Sequence, residues 1–311
     1  MTQEQLLKNL KVPSGIVDVI LDTDAYNETD DQYAISYMLL SPERINVLGM
    51  CAAPFHNANS SSPEDGMVRS YDEILRLLEL LNRTELSPNV YLGSRTYLPD
   101  EETPLDTDAA RFMVETAKKY SPEKPLYIVA IGAITNVASA ILLDRDTMVN
   151  NTVIVWLGGH AKDYPHTKEF NMRQDVAAAR VVMGCGVPFV QLPCIGVVSH
   201  LITTDPELTY WIKGTSELAD FLYERTVREA NKHNKGRVWN RCIWDVSAIA
   251  WLLNDNDRFM KSYNIPALIP QYDGTYSVDP RRHMQCYVYE IHRDAIFNDL
   301  FDKLRNMKSC K

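Results

Sequence analysis

Four aspartates follow an apolar run close to the start of the chain. Residues 16–21 have the composition of a buried strand, and Asp22, Asp24, Asp30 and Asp31 come directly after them. Carboxylates crowded in this way repel one another unless a positive charge lies between them. A hard divalent cation bound by oxygen ligands would supply that charge. The alternative is a solvated acidic loop in which Asp30 or Asp31 caps a helix N-terminus.

Other polar residues stand at the ends of later strand-like runs. They are His56, Asn57, Asn136, Glu169, Asn171 and Asp245, with Gly132 close to one of them in the chain. Ligands of open α/β sheets bind beyond the carboxyl ends of the strands, so we expect these groups at one edge. Carboxylates, amides and carbonyls suit calcium or magnesium, and calcium tolerates the more irregular coordination. Asp245 could also be read as an ordinary helix N-cap.

Apolar runs of strand length alternate with amphipathic segments of helix length through most of the chain. Strands are predicted at 16–21, 45–51, 90–92, 126–131, 153–157, 188–192, 267–270 and 284–291. Helices are predicted at 33–40, 66–81, 107–120, 134–143, 175–183, 206–211, 216–231, 245–253 and 294–307. This alternation predicts an α/β fold with an open, doubly wound, mostly parallel sheet of Rossmann-like topology. No G-x-G-x-x-G motif follows the first strand, so a dinucleotide site is not indicated.

Composition and charge narrow the class of protein. The 311 residues contain no linker, so we expect one domain over 1–311, with roughly the first 15 residues as a polar extension. Lys and Arg number 32 against 41 Asp and Glu, a net charge of −9, which argues against a nucleic-acid partner. The six cysteines include no Cys-x-x-Cys pair and are expected to be reduced. With no apolar run of membrane length and no signal core, we expect a cytoplasmic protein without membrane contact.

The polar motifs also occur in a recognisable order. They are Asp22-x-Asp24, Asp30-Asp31, Gly132-Ala133-Ile134-Thr135-Asn136, Glu169-Phe170-Asn171 and Trp244-Asp245. In this order and spacing the chain resembles the inosine-uridine preferring nucleoside hydrolases, which are calcium-dependent N-ribohydrolases. The resemblance runs from about residue 16 to the C-terminus, and it implies the same open α/β fold that the alternation predicts.

The resemblance implies a calcium site and a reaction. Asp24, Asp31 and Asp245 would be calcium ligands together with the backbone carbonyl of Ile131. The ribose 2′- and 3′-hydroxyls and one water would complete the coordination. Asp24 would act as general base on the calcium-bound water, which attacks the anomeric carbon through an oxocarbenium-like transition state. The chain would thus hydrolyse the N-glycosidic bond of a ribonucleoside.

Further residues are assigned to the substrate by the same resemblance. Asp30, Glu169 and Asn171 would hold sugar oxygens, and the ligand Asp245 would also lie against the substrate. Asp22 would support the site from its edge.

Two more substrate contacts are expected from loops. Asn57 would touch the sugar or the base. The loop 162–167 is shorter than its counterpart in the family, which leaves the contact to the ribose 5′-hydroxyl unassigned. Asp163 in this loop is a candidate for that contact.

The residue that assists the leaving base stays open. The family often has a histidine before the last aspartate, whereas this chain has Trp244. A tryptophan there resembles the purine-specific branch, in which it stacks on the base, and so favours a purine substrate and a role in purine salvage. The alternative is a helix-start tryptophan packed in the core. His56 is a second candidate proton donor, although a lone histidine is more often structural.

The chain departs from the family between its second and third aspartates. The insert at residues 25–29 is two residues longer than the family's, so Asp30 and Asp31 must reach the metal by a different path. Glu28 within it is either a solvated loop carboxylate or an additional ligand.

Two other functions compete with hydrolysis, and one partner is expected. A non-catalytic, calcium-dependent ribose- or nucleoside-binding homologue would keep the metal loop and lack the leaving-group acid. The pair Asp22 and Asp24 alone resembles the haloacid-dehalogenase phosphatases, but Tyr26 stands where that family has Thr or Val. The expected partners are a small nucleoside and further copies of the chain, as a dimer or tetramer.

Overall fold

The computed structural model describes residues 1–234 and 236–307. Cys310 therefore lies outside the described residues. The strands are β1 Val17–Thr23, β2 Ile45–Ala52, β3 Val90–Leu92, β4 Leu126–Ala130, β5 Thr152–Leu157, β6 Phe189–Leu192, β7 Ile202–Thr203, β8 Arg241–Cys242, β9 Met260–Pro266, β10 Ile269–Pro270, β11 Tyr276–Ser277 and β12 Met284–Ile291. The α-helices are α1 Gln3–Asn9, α2 Asp30–Leu39, α3 Pro63–Leu80, α4 Asp108–Ala117, α5 Thr135–Leu143, α6 Arg145–Asn151, α7 Phe170–Gln174, α8 Val176–Gly184, α9 Asp205–Trp211, α10 Glu217–Asn234, α11 Val246–Leu252 and α12 Arg293–Asn306.

A single large sheet organises these elements. Within the described residues it has eight strands in the order β3-β2-β1-β4-β5-β6-β12-β9. The pairs from β3 to β12 are parallel, and the edge pair β12–β9 is antiparallel. The chain winds outward in both directions from β1 and β4, which puts the topological switch point between them. The predicted open, doubly wound, mostly parallel α/β fold is confirmed.

Both faces of the central strands are buried, which explains their continuous apolar sequences. Along β1, Val19 and Leu21 belong to one hydrophobic cluster and Ile20 to another. Successive side chains of a strand point to opposite faces, so these clusters lie on the two sides of the sheet. All ten residues of α2 are buried, including Asp30 and Asp31 at its start.

The structure differs from the prediction in several elements: α6, α7, β7, β8 and β11 were not predicted, and three further differences concern the N-terminus, residues 267–270 and the sheet edge. The N-terminal residues were expected to be a polar extension, but they form α1 and bury Leu6 and Leu10. The predicted strand at 267–270 is a short hairpin strand outside the main sheet, paired with β11. The antiparallel edge strand β9 was not predicted. Its central residues are exposed and polar, so it lacks the apolar signature of a buried strand. No helix within the described residues could cross a membrane.

Candidate active site

A cavity of about 530 Å³ contains most of the polar residues singled out by the sequence. Its size lies in the range of small-molecule sites. Its lining residues are Asp24, Asn27, Glu28, Asp30, Asp31, Asn57, Ile131, Leu157, His160, Tyr164, His166, Lys168, Glu169, Phe170, Asn171, Arg173, Cys194, Ile195, Trp244 and Asp245. Asp24 follows β1 and Ile131 follows β4, so the cavity opens at the switch point, where an open α/β sheet binds its ligand.

Three buried aspartates form a cluster in this cavity. Asp30 and Asp31 occupy the first turn of α2, and Asp245 immediately precedes α11. One carboxylate oxygen from each lies within 4.8 Å of the others. The Thr23 hydroxyl donates to Asp31 Oδ1 over 2.5 Å and thereby links the end of β1 to this cluster. Such a set of oxygens could hold a metal ion.

Asp24 lies in the same cavity, and the negative charges of neighbouring carboxylates act on its own carboxylate. Both of its oxygens are buried, and neither finds a hydrogen-bond partner among the described residues. An unpartnered buried carboxylate is costly unless a cation or a substrate group meets it. The charges of Asp31 and Asp30 act on it directly.

The pKa values of these carboxyls reflect the crowding. Burial raises the pKa of Asp31 to about 7, although hydrogen bonds with Thr23 and Asp245 oppose that rise. Burial, followed by the charges of Asp31 and Asp30, raises the pKa of Asp24 well above its ordinary value. The pKa of Asp245 is raised in the same way. A bound cation would favour the ionised forms of these carboxyls and thereby lower their pKa values.

Gly132 makes room for Asp24. A Cβ at this position would lie 2.9 Å from Asp24 Oδ1 and 3.1 Å from the Cβ of Ala53. The preceding residue, Ile131, lines the cavity, and its carbonyl accepts a hydrogen bond from Asn171 Nδ2 over 3.0 Å. The absence of a side chain at Gly132 thus permits the close approach of its backbone to the Asp24 carboxylate.

The donor set fits a hard divalent cation. Asp24, Asp31, Asp245 and Ile131, the ligands implied by the resemblance, all line the cavity. Asp30, which was expected to bind the sugar, lies inside the compact carboxylate cluster with Asp31 and Asp245. Carboxylate and carbonyl oxygens are the ligands that calcium and magnesium prefer, and the unpartnered oxygens of Asp24 remain available.

The insert at residues 25–29 is held by long-range contacts. Glu28 forms an ion pair with Arg241 over 2.7 Å, and Arg241 also pairs with Glu229 over 3.5 Å. The Thr29 N–H donates to Glu229 over 3.2 Å. Tyr26 lies between the guanidiniums of Arg69 and Arg225, each 5.4–5.5 Å from its ring centre. Glu28 is thus a partly exposed loop carboxylate that lines the cavity and pairs with Arg241, and its role as an additional ligand stays a prediction.

Glu169 and Asn171 are fixed at the start of α7. The Glu169 carboxylate caps this helix and accepts N–H groups from Gly159, Asn171 and Met172 over 2.7–2.9 Å. Asn171 Nδ2 donates to the carbonyls of Ile131 and Leu157. Its Oδ1 is therefore the atom left to meet a ligand.

Trp244 and Asn57 also line the cavity. Trp244 is half-buried. It lines the cavity, where it could stack on a base, and it also packs partly against the core, as the alternative reading has it. Asn57 Nδ2 donates to Asn27 Oδ1 over 2.5 Å, which ties it to the insert.

Three predicted residues lie outside the cavity lining. His56 is exposed, and its backbone N–H donates to the side chain of Gln174. Asp163 is exposed in the loop after β5. Asp22 is fully buried behind the cavity, where Asn136 Nδ2 donates to it over 2.8 Å and burial raises its pKa to about 7. The roles assigned to these three residues stay predictions: proton donation for His56, a substrate contact for Asp163 and support from the edge of the site for Asp22.

Sequence reasoning missed a basic and aromatic wall on the loop after β5. His160 and His166 have ring centres 5.4 Å apart, and Tyr164 packs edge-on against both. Lys168 and Arg173 belong to the same wall. The signal was Gly158-Gly159-His160 at a strand end, but only Asp163, Glu169 and Asn171 were taken from the residues that follow it.

Comparisons with known proteins identify the family of the chain. The model of the family described as inosine-uridine preferring nucleoside hydrolase matches residues 19–297. Probable uridine nucleosidase 2 of Arabidopsis thaliana is 28% identical over 229 residues, 66% of this chain and 67% of that protein. Pyrimidine-specific ribonucleoside hydrolase RihA of Escherichia coli O1:K1 / APEC is 27% identical over 267 residues, 76% of this chain and 79% of that protein.

A solved structure extends the likeness to the fold. The purine-preferring ribonucleoside hydrolase from Gardnerella vaginalis is similar with a TM-score of 0.76 at 18% identity, over 94% of this chain and 100% of that one. The family model covers most of the sequence and confirms the resemblance seen in the motifs. The chain belongs to the inosine-uridine preferring nucleoside hydrolase family.

Proposed function

We propose that this nucleoside hydrolase cleaves the N-glycosidic bond of a ribonucleoside, with a purine favoured, and releases the free base and the sugar. The observation that carries the proposal is the composition of the cavity. Asp30, Asp31 and Asp245 bring carboxylate oxygens within 4.8 Å of one another. Beside them lies Asp24, whose buried oxygens have no partner among the described residues.

The proposed cofactor is calcium, held by Asp24, Asp31, Asp245 and the carbonyl of Ile131. The support is an all-oxygen donor set gathered in one buried place. When bound, the ion would supply the positive charge that keeps these carboxylates ionised and would acidify the attacking water.

The chain's own residues then have separate roles. Asp24 takes the proton of the water that attacks the anomeric carbon, since its oxygens are not committed elsewhere in the described structure. The carboxylates around the sugar, Asp30 among them, stabilise the positive charge that develops on the ring as the base departs. Asn171 offers Oδ1 to a sugar hydroxyl, because both of its amide hydrogens are used by backbone carbonyls.

The preference for a purine rests on Trp244. Its half-buried ring lines the cavity one residue before Asp245, so a base attached to a sugar at the cluster could stack on it. The two curated relatives named above are a uridine nucleosidase and a pyrimidine-specific enzyme. Base preference is therefore the part of the proposal that most needs a direct test.

The test is release of free base from inosine, guanosine, uridine and cytidine with calcium present. We expect turnover that stops in excess chelator and returns with calcium. Asp24→Asn should lower kcat by roughly 10²–10⁴-fold, the usual worth of a positioned general base. Asp302→Asn, a change at an exposed carboxylate of α12, is the matched control.

Two results would contradict the proposal. One is the absence of turnover for every ribonucleoside with calcium bound, which favours a binding protein. The other is full activity in Asp24→Asn. Trp244→Ala should raise KM for inosine more than for uridine, and equal effects on both would remove the argument for purines.

A further inference from the structure

The acidic and basic side chains that line the cavity come largely from different segments of the chain. The carboxylates Asp24, Asp30 and Asp31 come from the segment between β1 and α2, with Asp245 from the start of α11. The basic side chains of the lining come from a single stretch of chain, residues 160–173, which comprises the loop after β5 and the short helix α7. A substrate in this cavity can therefore meet both acidic and basic groups.

Two basic residues of this stretch have no direct ion-pair partner among the described residues, although the charge of Arg173 acts on Glu169. Among residues 1–234 and 236–307, Lys168 and Arg173 form no ion pair, although both line a cavity rich in carboxylates. Arg173 lies over the ring of Phe170 at 5.3 Å. The stem of Lys168 rests on Gly274, where a Cβ would lie 2.6 Å from its Cε. The two cations are thus positioned by packing and remain available to an anion.

His160 adds a buried hydrogen-bond donor to the same wall. Its side chain is 5% exposed, and Nδ1 accepts the N–H of Ile195 over 3.3 Å. Burial, assisted by the neighbouring His166, lowers the pKa of His160 to about 4, so the ring is neutral and carries its hydrogen on Nε2. That N–H has no acceptor among the described residues. His166 Nδ1 similarly accepts the N–H of Lys168 over 3.3 Å.

The acidic residue on this wall is already committed. The carboxylate of Glu169 accepts three backbone N–H groups, from Gly159, Asn171 and Met172. Three such bonds compensate its charge locally, so it does not neutralise the neighbouring cations by a direct ion pair. The wall keeps its capacity for an external anion.

Sugar chemistry decides where such an anion would be attached. A ribonucleoside has free oxygens at C2′, C3′ and C5′. If the 2′- and 3′-hydroxyls face the carboxylate cluster, as the proposed function requires, only O5′ can carry an additional group. We infer that His160, His166, Lys168 and Arg173 form a subsite for a phosphate on C5′, so that the substrate class is a ribonucleoside 5′-phosphate. This inference rests on the proposed function and specifies its substrate.

The reaction is the same hydrolysis with a phosphorylated sugar. Water adds its oxygen to C1′, the C1′–N bond breaks with its electron pair going to the base, and one proton of the water ends on the base nitrogen. The products are the free base and ribose 5-phosphate. No oxidant, reductant or further reactant is needed, and the phosphate ester stays intact.

The first experiment compares turnover of matched pairs with calcium present: inosine with inosine 5′-monophosphate, and uridine with uridine 5′-monophosphate. We expect kcat/KM to be at least about tenfold higher for the phosphorylated member, the worth of one charge-assisted hydrogen bond. The double variant K168M/R173M should lower that ratio by about tenfold or more. Lys162→Met is the control, because Lys162 is an exposed cation of the same loop outside the cavity lining.

The second experiment separates this inference from the proposed function, because it needs no catalysis. Calorimetry in calcium should show ribose 5-phosphate binding at least about tenfold more tightly than ribose, and K168M/R173M should abolish the difference. Tighter binding of ribose 5-phosphate without turnover of any substrate would retain the subsite and reject hydrolysis. Turnover of nucleosides with no preference for the 5′-phosphate, or a preference that survives in K168M/R173M, would overturn the subsite and retain hydrolysis.

Discussion

Replacing Asp31 by asparagine should stabilise the metal-free protein and also remove most of its stabilisation by calcium. Two carboxylate charges of the cluster that are 4.8 Å apart repel each other by about 3.5 kcal/mol at an effective dielectric constant of about 20. A pKa raised from 3.8 to about 7 costs the folded state about 4 kcal/mol at pH 7. This cost is absent below the unfolded-state pKa and grows as the pH rises towards 7. Asparagine removes it and still accepts the Thr23 hydroxyl.

The assay is thermal and urea unfolding at pH 7 in chelator and in calcium. In chelator, Asp31→Asn should gain about 2–4 kcal/mol over the unmodified protein. Calcium at about 100 times its Kd should stabilise the unmodified protein by about 2.7 kcal/mol, or some 5 °C, and the variant far less. Asp302→Asn serves as the control at an exposed position. A variant that melts lower in chelator, or that keeps the full calcium shift, would refute the electrostatic reasoning.

Three further changes test other parts of the structure. Gly132→Ala should lower kcat/KM by about 10²-fold with an unchanged circular dichroism spectrum, because its Cβ would displace the Asp24 carboxylate. Arg241→Met should lower the free energy of unfolding, measured in urea, by about 2 kcal/mol because it breaks the ion pair with Glu28, and Arg241→Lys should lower it less. Burial lowers the pKa of His283 to about 4, so stability should fall as the pH drops from 6.5 to 4, and His283→Gln should flatten that slope.

The sheet could be predicted from sequence because its strands are buried on both faces. Such strands are continuous apolar runs, and β4 and β5 were found almost to the residue. The same rule fails for β9, whose edge position leaves Ser262, Tyr263 and Asn264 exposed. It fails again for α1, where two buried leucines in a short polar segment give too weak a periodicity.

The candidate site was predictable where a residue's place follows from the end of a strand. Asp24 and Ile131 lie in the cavity because β1 and β4 are adjacent and parallel. His56 and Asp163 lie four and six residues beyond the ends of β2 and β5 and outside the cavity lining, and the roles assigned to them stay predictions. The basic residues of the cavity, such as Lys168 and Arg173, were not predicted because Lys and Arg are common on protein surfaces. Only the fold places them in the same cavity as the carboxylates.

The insert at residues 25–29 shows why a departure from a family pattern need not weaken the site. Its Glu28 pairs with Arg241 and its Thr29 N–H donates to Glu229, both about two hundred positions away in the chain, so no local pattern could reveal these two contacts. Arg241 stands four residues before Asp245, and Glu28 two residues before Asp30. Their ion pair therefore joins the two segments that supply the carboxylate cluster. The guanidinium also favours the ionised form of Asp30, against the burial that raises its pKa. A longer loop can thus deliver the same aspartates, because a buried arginine fixes its position and offsets part of its charge.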